Sequence, residues 1–139
     1  MKIRCLVLED ELGIQNFLKE LFKQRSYEVS FYKSPIICPL YHNHDSCCNR
    51  KERCRDIGIF DNHMPGMKGI DFFELQLKKG CKAIKENTAI MSGNFSEEDI
   101  KKAETLGCKV FKKPFSLKEL ERWLDECERR VNQEQNSSQ

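Results

Sequence analysis

Residues 57–69 read IGIFDNHMPGMKG, and this stretch decides the fold. Its first four residues form a short run without polar side chains, which is typical of a strand buried on both faces of a parallel sheet. The strand stops at an acid, Asp61, and the proline and glycines that follow are turn residues. A helix is predicted from about Asp71 to Lys79, so this part of the chain is a strand, a polar loop and a helix.

The same unit recurs along the chain. Further short apolar strands are predicted at residues 3–8, 27–32, 88–91 and 110–111. Helical apolar stripes follow most of them, and Ser96 and Ser116 each open a capping box at the start of a helix. This alternation predicts an α/β protein, a doubly wound parallel sheet with helices on both faces and right-handed crossovers.

Composition limits the classes of protein that this chain can belong to. The 139 residues, 39% hydrophobic and 33% charged, predict one compact domain, placed at residues 1–131 with a polar tail at 132–139. The 24 Lys and Arg residues nearly balance the 22 Asp and Glu residues, which argues against nucleic acid or an anionic membrane as a direct partner. Because no apolar run approaches about 18 residues, we expect a soluble, cytoplasmic protein.

The residues at the ends of the predicted strands carry the functional signal, because ligands of open parallel sheets bind outside the carboxyl ends of the strands. These residues are Glu9, Asp10, Asp61, Ser92 and Lys113. Three carboxylates in one crevice repel one another unless a cation neutralises them, and Mg²⁺ is the hard, oxygen-liganded ion that suits them. The serine hydroxyl and the lysine ammonium are suitable donors to phosphate oxygens.

This set of residues resembles the receiver domain of two-component response regulators. The motifs that carry the resemblance are Glu9-Asp10-Glu11, residues 61–69, Ser92-Gly93 and Lys113-Pro114-Phe115. The resemblance covers residues 2 to about 130 apart from 34–56. It implies a flavodoxin-like five-stranded sheet in the order 2-1-3-4-5.

The resemblance also implies a role for each site residue. Asp61 would be the phosphoacceptor that takes a phosphoryl group from a histidine kinase or a phosphotransfer protein. Asp10 would ligate Mg²⁺ directly, Glu9 would act mainly through a bound water, and the backbone carbonyl of His63 would complete the protein ligands. Lys113 would then pair with one phosphoryl oxygen.

Ser92 would hydrogen-bond another phosphoryl oxygen once phosphate arrives. The family usually has an aromatic switch residue three positions before the lysine, where this chain has Val110, so we expect the neighbouring Phe111 to pack in the core instead. The implied function is phosphorelay signal transduction, with no enzymatic activity beyond self-phosphotransfer and self-dephosphorylation. Because no DNA-binding domain follows in these 139 residues, we expect output through a downstream protein that binds the face of the fourth helix, fifth strand and fifth helix, or through a domain outside this sequence.

Residues 34–56 stand where the second crossover helix should be, yet they have no apolar stripe. The segment concentrates potential soft metal ligands, which are Cys38, His42, His44, Cys47, Cys48 and Cys54. Structural zinc away from the Asp61 crevice, redox-active thiols and a poorly ordered loop are three open interpretations. The alternative function is therefore a metal- or redox-sensing interaction module on a receiver scaffold. The other cysteines, Cys5, Cys81, Cys108 and Cys127, are predicted to be packing residues.

Overall fold

The computed structural model of the chain describes residues 2–42 and 47–137, with side chains through residue 134. The strands are β1 (Arg4–Leu8), β2 (Glu28–Tyr32), β3 (Ile57–Asp61), β4 (Thr88–Ser92) and β5 (Lys109–Lys112). The helices are α1 (Leu12–Gln24), α2 (Pro39–His42), α3 (Gly69–Lys78), α4 (Glu97–Leu106) and α5 (Leu117–Ser137). No helix in these ranges is long and apolar enough to cross a membrane.

The sheet has five parallel strands in the order β2-β1-β3-β4-β5, which confirms the predicted fold class. The register pairs Leu8 with Phe60, and Asp61 with Met91. The last residues of β1, β3 and β4 therefore lie along one edge. The strand order reverses between β1 and β3, which is where a doubly wound sheet opens a crevice.

Successive strand residues point to opposite sides of the sheet, and helices cover both sides. Residues such as Val7 and Ile59 pack with α1 and α5 on one face. Leu8 and Phe60 pack with α3 and α4 on the other. Burial on both faces explains why β1, β3 and β4 appear in the sequence as continuous apolar runs rather than as alternating ones.

The ends of α4 are set by local capping residues, whereas the end of the last helix, α5, is not predicted by its apolar stripe. The Ser96 hydroxyl accepts a hydrogen bond from the Asp99 backbone N–H at 3.1 Å, as the capping-box pattern predicts. Gly107 ends α4 in the left-handed region, at φ +82. The final helix α5 continues through Ser137, beyond Val131 where its apolar stripe ends. The apolar stripe thus marks the part of α5 that packs on the sheet and underestimates the length of the helix.

The segment between β2 and β3 contains no full crossover helix in its described part. It has a 3₁₀ turn at Pro35–Ile37, the single-turn helix α2 and an irregular path over residues 47–56. Packing of α2 and hydrogen bonds to β1 and to the end of α3 hold it. Leu40 of α2 is buried, and the Cys48 backbone N–H donates to the Lys79 carbonyl at 2.7 Å.

Candidate functional site

Three carboxylates meet at the carboxyl edge of the sheet. Glu9 and Asp10 directly follow β1, and Asp61 is the last residue of the neighbouring strand β3. One oxygen from each of the three lies within 4.8 Å of the others. Glu9 and Asp61 are buried and Asp10 is exposed. The structure thus brings together the acids that the sequence singled out, because parallel pairing of β1 with β3 aligns their ends.

Glu9 is the most confined of the three acids, with its side chain fully buried. Its backbone N–H donates to the Tyr32 carbonyl at 2.9 Å, and its Oε1 accepts from the Glu11 backbone N–H at 3.0 Å. Burial raises the pKa of Glu9 above its usual value, and the negative charge of Asp61 adds to this. The Glu11 N–H and the Lys113 ammonium act against that rise in pKa without cancelling it. A second cation near Glu9 would therefore stabilise its charged form.

Lys113 provides the positive charge in this crevice. Its Nζ lies 3.1 Å from Glu9 Oε2, 3.5 Å from Asp61 Oδ1 and 3.7 Å from Glu11 Oε2. Burial works to lower the pKa of Lys113, but the hydrogen bond to Glu9 and the surrounding carboxylate charges outweigh it and raise the pKa. Lys113 is thus held in its protonated form. Its backbone N–H donates to the Ser92 carbonyl at 2.9 Å, which ties the ends of β4 and β5 together.

Ser92 and His63 meet beside the Asp61 carboxylate. The buried Ser92 hydroxyl lies 3.0 Å from His63 Nε2, and it accepts from the Asn94 backbone N–H at 3.0 Å. The His63 backbone N–H also donates to Asp61 Oδ1 at 3.1 Å. His63 therefore contacts Asp61 through its backbone N–H and Ser92 through its imidazole, whereas the resemblance implied a role only for its backbone carbonyl.

Asn62 is a supporting residue that sequence reasoning missed. It is buried, and its Oδ1 accepts from the Ile70 backbone N–H at 3.1 Å in the first turn of α3. Its Nδ2 donates to Asp99 Oδ2 at 3.0 Å, which joins the loop after Asp61 to α4. The available signal was an Asn that directly follows a strand-ending acid and precedes a helix, since Asn is a preferred helix-capping residue.

Two glycines shape the loop that follows Asp61. A Cβ on Gly69 would lie 2.5 Å from the Asp61 carbonyl oxygen, so α3 begins in direct contact with the end of β3. Gly66 has φ +86, and a Cβ there would lie 2.6 Å from the Tyr41 hydroxyl oxygen. The segment at 34–56, for which a zinc site away from the crevice was one of three open interpretations, therefore contacts the loop after Asp61 through Tyr41.

The aromatic side chain near Lys113 packs as the sequence predicted. Phe111 is 2% exposed, and its ring centroid lies 5.6 Å from that of Trp123 on α5. Val110 points to the other face of β5 and packs beside α4. The position three residues before Lys113 therefore holds the aliphatic Val110. The neighbouring ring of Phe111 packs in the core.

The zinc prediction gains no support from the described residues. Among them, the acidic cluster is the one group of three or more potential metal-ligand side chains, so Cys38, His42, Cys47, Cys48 and Cys54 do not converge. His42 Nε2 instead lies 2.8 Å from the Ile36 carbonyl oxygen. His44, the remaining ligand of that prediction, lies outside the described residues. The physical reason is that these side chains are spread around a cavity, so that no three of their ligand atoms lie within 4.8 Å of one another. The cysteines of the segment that line this cavity are Cys38, Cys47, Cys48 and Cys54.

Comparison with known proteins identifies the fold. No protein-family model matches the sequence, and no curated protein matches it either. The structure is similar to the signal receiver domain of an HD domain-containing protein from Pseudomonas fluorescens Pf-5, with a TM-score of 0.75 and 18% identity over 97% of this chain and 93% of that one. It is also similar to the receiver domain of the Francisella response regulator 1452, with a TM-score of 0.71 and 21% identity over 94% of this chain and 99% of that one.

A third similar structure is the receiver domain of a sensor histidine kinase from Pseudomonas aeruginosa PAO1, which has a magnesium ion coordinated in its active-site cleft. Its TM-score is 0.66 at 17% identity, over 91% of this chain and 97% of that chain. This chain therefore has the flavodoxin-like fold of response-regulator receiver domains.

Proposed function

We propose that this chain is a phosphoacceptor response regulator in which Asp61 takes a phosphoryl group from the phosphohistidine of a histidine kinase or a phosphotransfer protein, in a Mg²⁺-dependent reaction. One observation carries the proposal. The Asp61 carboxylate lies in one cluster with Glu9 and Asp10, and the Lys113 ammonium is 3.5 Å from its Oδ1. The likeness of the fold to receiver domains, one of which has a magnesium ion in its active-site cleft, supports this crevice as the reaction site.

The donor set suits magnesium. Mg²⁺ prefers oxygen ligands and retains waters, and all three side chains of the cluster are carboxylates. With these ionised and Lys113 protonated, the cluster carries two net negative charges, which one divalent cation neutralises. Asp10, Asp61 and the His63 backbone carbonyl are the proposed direct ligands, and Glu9 would act mainly through a bound water. When bound, the ion supplies charge neutralisation for phosphoryl oxygens.

The transfer itself requires positioning more than covalent chemistry from the protein. A carboxylate oxygen of Asp61 forms a bond to phosphorus while the phosphorus–nitrogen bond of the donor breaks, and the imidazole leaves with its electron pair and takes up a proton. The His63 N–H and the Lys113 ammonium hold Oδ1, whereas Oδ2 accepts no hydrogen bond from the described parts of the chain. Oδ2 is thus the oxygen available to attack.

Ser92 and Lys113 are placed to respond to the new phosphoryl group. Lys113 can exchange part of its contact with Glu9 for a phosphoryl oxygen. The Ser92 hydroxyl, now 3.0 Å from His63 Nε2, would turn to hydrogen-bond another oxygen. Since Ser92 ends β4 and its carbonyl accepts from Lys113, this change would reach the face formed by α4, β5 and α5, where a downstream protein would bind.

The decisive experiment is incubation with Mg²⁺ and acetyl phosphate, followed by intact mass spectrometry. The wild-type protein should gain the mass of one phosphoryl group, and chelation should prevent this. Asp61→Asn should gain nothing because an amide is not a nucleophile towards phosphorus, and Asp10→Ala should gain nothing because it removes a metal ligand. Asp125→Asn is the control, an exposed carboxylate on α5 that should leave phosphorylation unchanged. A gain of phosphoryl mass by Asp61→Asn would contradict the assignment of Asp61 as the phosphoacceptor.

A further inference from the structure

Six of the eight cysteines surround one cavity of about 360 Å³ beside the irregular segment at 34–56. The first residues of β1 and β2 also line this cavity, so it lies towards the amino end of the sheet, whereas Asp61 ends β3. The lining cysteines, all of them free thiols, are Cys5, Cys38, Cys47, Cys48, Cys54 and Cys81. The fold thus gathers onto one space thiols from β1, from three points in the segment and from the residues after α3.

Packing explains few of these cysteines. Cys5 is the one buried residue among the six, and a buried cysteine behaves as a small apolar side chain. Cys47 and Cys54 are exposed, and the other three are half-buried. An exposed thiol contributes little to a core and is open to oxidants. The exposed and half-buried thiols around the cavity therefore call for a chemical role.

Two other thiols act electrostatically on Cys38. Burial raises the pKa of Cys38 above its usual value, and negative charges on Cys54 and Cys81 raise it further, Cys54 by more than Cys81. Electrostatic effects between partly exposed groups are largely screened beyond about 10 Å. The Cys54 thiol is therefore close to that of Cys38, although the two cysteines stand near opposite ends of the segment.

Both cysteines are anchored, while the chain between them is irregular. Gln76 of α3 donates from its Nε2 to Cys38 Sγ at 3.9 Å. Directly before Cys54, the Arg53 carbonyl accepts from Arg4 Nη2 of β1 at 3.1 Å. The described chain between the two cysteines has one helical turn and no strand. Cys38 and Cys54 can therefore approach each other without the loss of a strand or a long helix.

We infer that a peroxide oxidises Cys54 and that Cys38 then forms a disulfide with it, which makes this cavity a redox-sensitive site separate from the Asp61 crevice. The exposed Cys54 is the thiol that the oxidant reaches, and the half-buried Cys38 is the thiol that resolves the product. A disulfide holds its two Cα atoms roughly 4.4–6.8 Å apart. Oxidation would therefore draw the two ends of the segment together.

The reaction balances with hydrogen peroxide as the oxidant. The Cys54 thiolate forms a bond to one peroxide oxygen while the O–O bond breaks, and the hydroxide that leaves takes up a proton to become water. The Cys38 thiolate then attacks the sulfur of the resulting sulfenic acid, the S–O bond breaks, and a second hydroxide leaves and is protonated to water. The two thiols together lose two electrons, which the peroxide accepts.

The first test adds one equivalent of hydrogen peroxide to the reduced full chain and maps its peptides without reductant. The wild-type protein should lose the mass of two hydrogen atoms and yield a linked peptide that joins Cys38 to Cys54, and dithiothreitol should reverse both changes. Asp61→Asn should form the same bond, so this result does not depend on phosphorylation. A disulfide of Cys38 with Cys81, or disulfides between molecules alone, would overturn the proposed pair.

The second test separates the two roles. Cys38→Ser should accumulate a sulfenic acid on Cys54, which dimedone captures, whereas Cys54→Ser should give no dimedone adduct on Cys38. Cys47→Ser is the matched control, an exposed cysteine of the same cavity, and it should still form the disulfide. A dimedone adduct on Cys38 in Cys54→Ser, or loss of the disulfide in Cys47→Ser, would contradict the assigned roles.

The pH dependence of disulfide closure identifies the attacking thiol. Because the pKa of Cys38 lies above its usual value, its thiolate fraction rises about tenfold per pH unit between pH 7 and 8. The rate at which the sulfenic acid of the wild-type protein disappears should rise by the same factor, measured by dimedone capture over time. A rate that does not change with pH would show that Cys38 is not the resolving thiol.

Discussion

The two ends of the sheet hold buried charge of opposite sign. At the carboxyl end, three carboxylates surround one lysine and leave an excess of negative charge. At the amino end, the buried Arg55 has no acid beside it and leaves an excess of positive charge. The acidic cluster is the proposed site of a divalent cation, whereas the Arg55 guanidinium packs against the Phe60 ring with no described carboxylate beside it.

The two regions also differ in how they are held. The crevice of Glu9, Asp10 and Asp61 is built on strand ends. Asn62 and Gly69 fix the loop after Asp61 against α3 and α4. The described part of the segment at 34–56 has a single helical turn, of which Leu40 alone is buried, and scattered hydrogen bonds. We therefore expect substitutions in the crevice loop to affect stability, and the exposed thiols of the segment to react freely.

Thiol reactivity should show the largest difference, between the segment at 34–56 and the hydrophobic core. Cys47 and Cys54 are exposed, whereas burial raises the pKa of Cys108 to about 11 and that of Cys127 to about 12. Because the thiolate is the nucleophile, iodoacetamide at pH 8 should modify the exposed pair more than about a hundredfold faster. The Cys108 rate should rise about tenfold per pH unit between pH 8 and 10, since its thiolate fraction rises in that range.

Peptide mass spectrometry over time checks both rates. Equal modification rates for all these thiols would contradict the proposed difference in accessibility between the segment at 34–56 and the core. Cys47 and Cys54 that react only after a chelator is added would restore the zinc hypothesis.

Gly69→Ala should destabilise the protein by about 1–3 kcal/mol, because the new Cβ would meet backbone atoms of Asp61 that cannot move aside. Gly13→Ala on α1 is the matched control. A Cβ at Gly13 meets nothing within 4 Å, so this change should stabilise by about 0.5–1 kcal/mol through helix propensity. Urea unfolding measures both variants, and equal effects would mean that the crevice loop is not tightly held.

Magnesium affinity should separate Asp10 from Lys113. Asp10→Ala should weaken Mg²⁺ binding at least about tenfold, about 1.4 kcal/mol, because it removes a ligand. Lys113→Ala should leave Mg²⁺ affinity undiminished, because it removes a competing positive charge 3.5 Å from Asp61. Titration calorimetry compares the two, with Lys102→Ala as a control lysine that pairs with Asp71 outside the crevice. Equal losses of affinity in Asp10→Ala and Lys113→Ala would contradict these separate roles.

Tyr41→Phe should have the smallest effect. The hydroxyl oxygen of Tyr41 lies against Gly66, but this contact is the far end of a flexible side chain. Its removal should change the free energy of unfolding by less than about 0.5 kcal/mol. It should also leave the rate of phosphorylation by acetyl phosphate unchanged, measured by intact mass over time. A marked change in that rate would show that the segment at 34–56 and the acceptor loop are coupled.

Much of the fold and the crevice was predictable because their signals are local. Residues 57–60 are apolar without interruption since both faces of β3 are covered, and Asp61 marks the point where that strand ends. Parallel strands of similar length align their ends, so acids at those ends converge whatever the details of packing. The length of α5 beyond Val131 was not predictable in this way, because the apolar stripe reports packing alone.

The sequence by itself determined the α/β alternation, the strand ends and the residues of the crevice, since hydrophobic periodicity and turn residues act over a few neighbours. The tertiary structure alone decided the contact of His63 with Ser92, the Asn62 bridge and the isolation of Arg55. The hydrogen bonds of Arg55 reach Gln76 and Thr88, 21 and 33 positions away, and no local pattern encodes such pairs. Whether a buried charge is neutralised depends on which distant side chains the fold brings to it, and for that reason the isolation of Arg55 had no signature in the sequence.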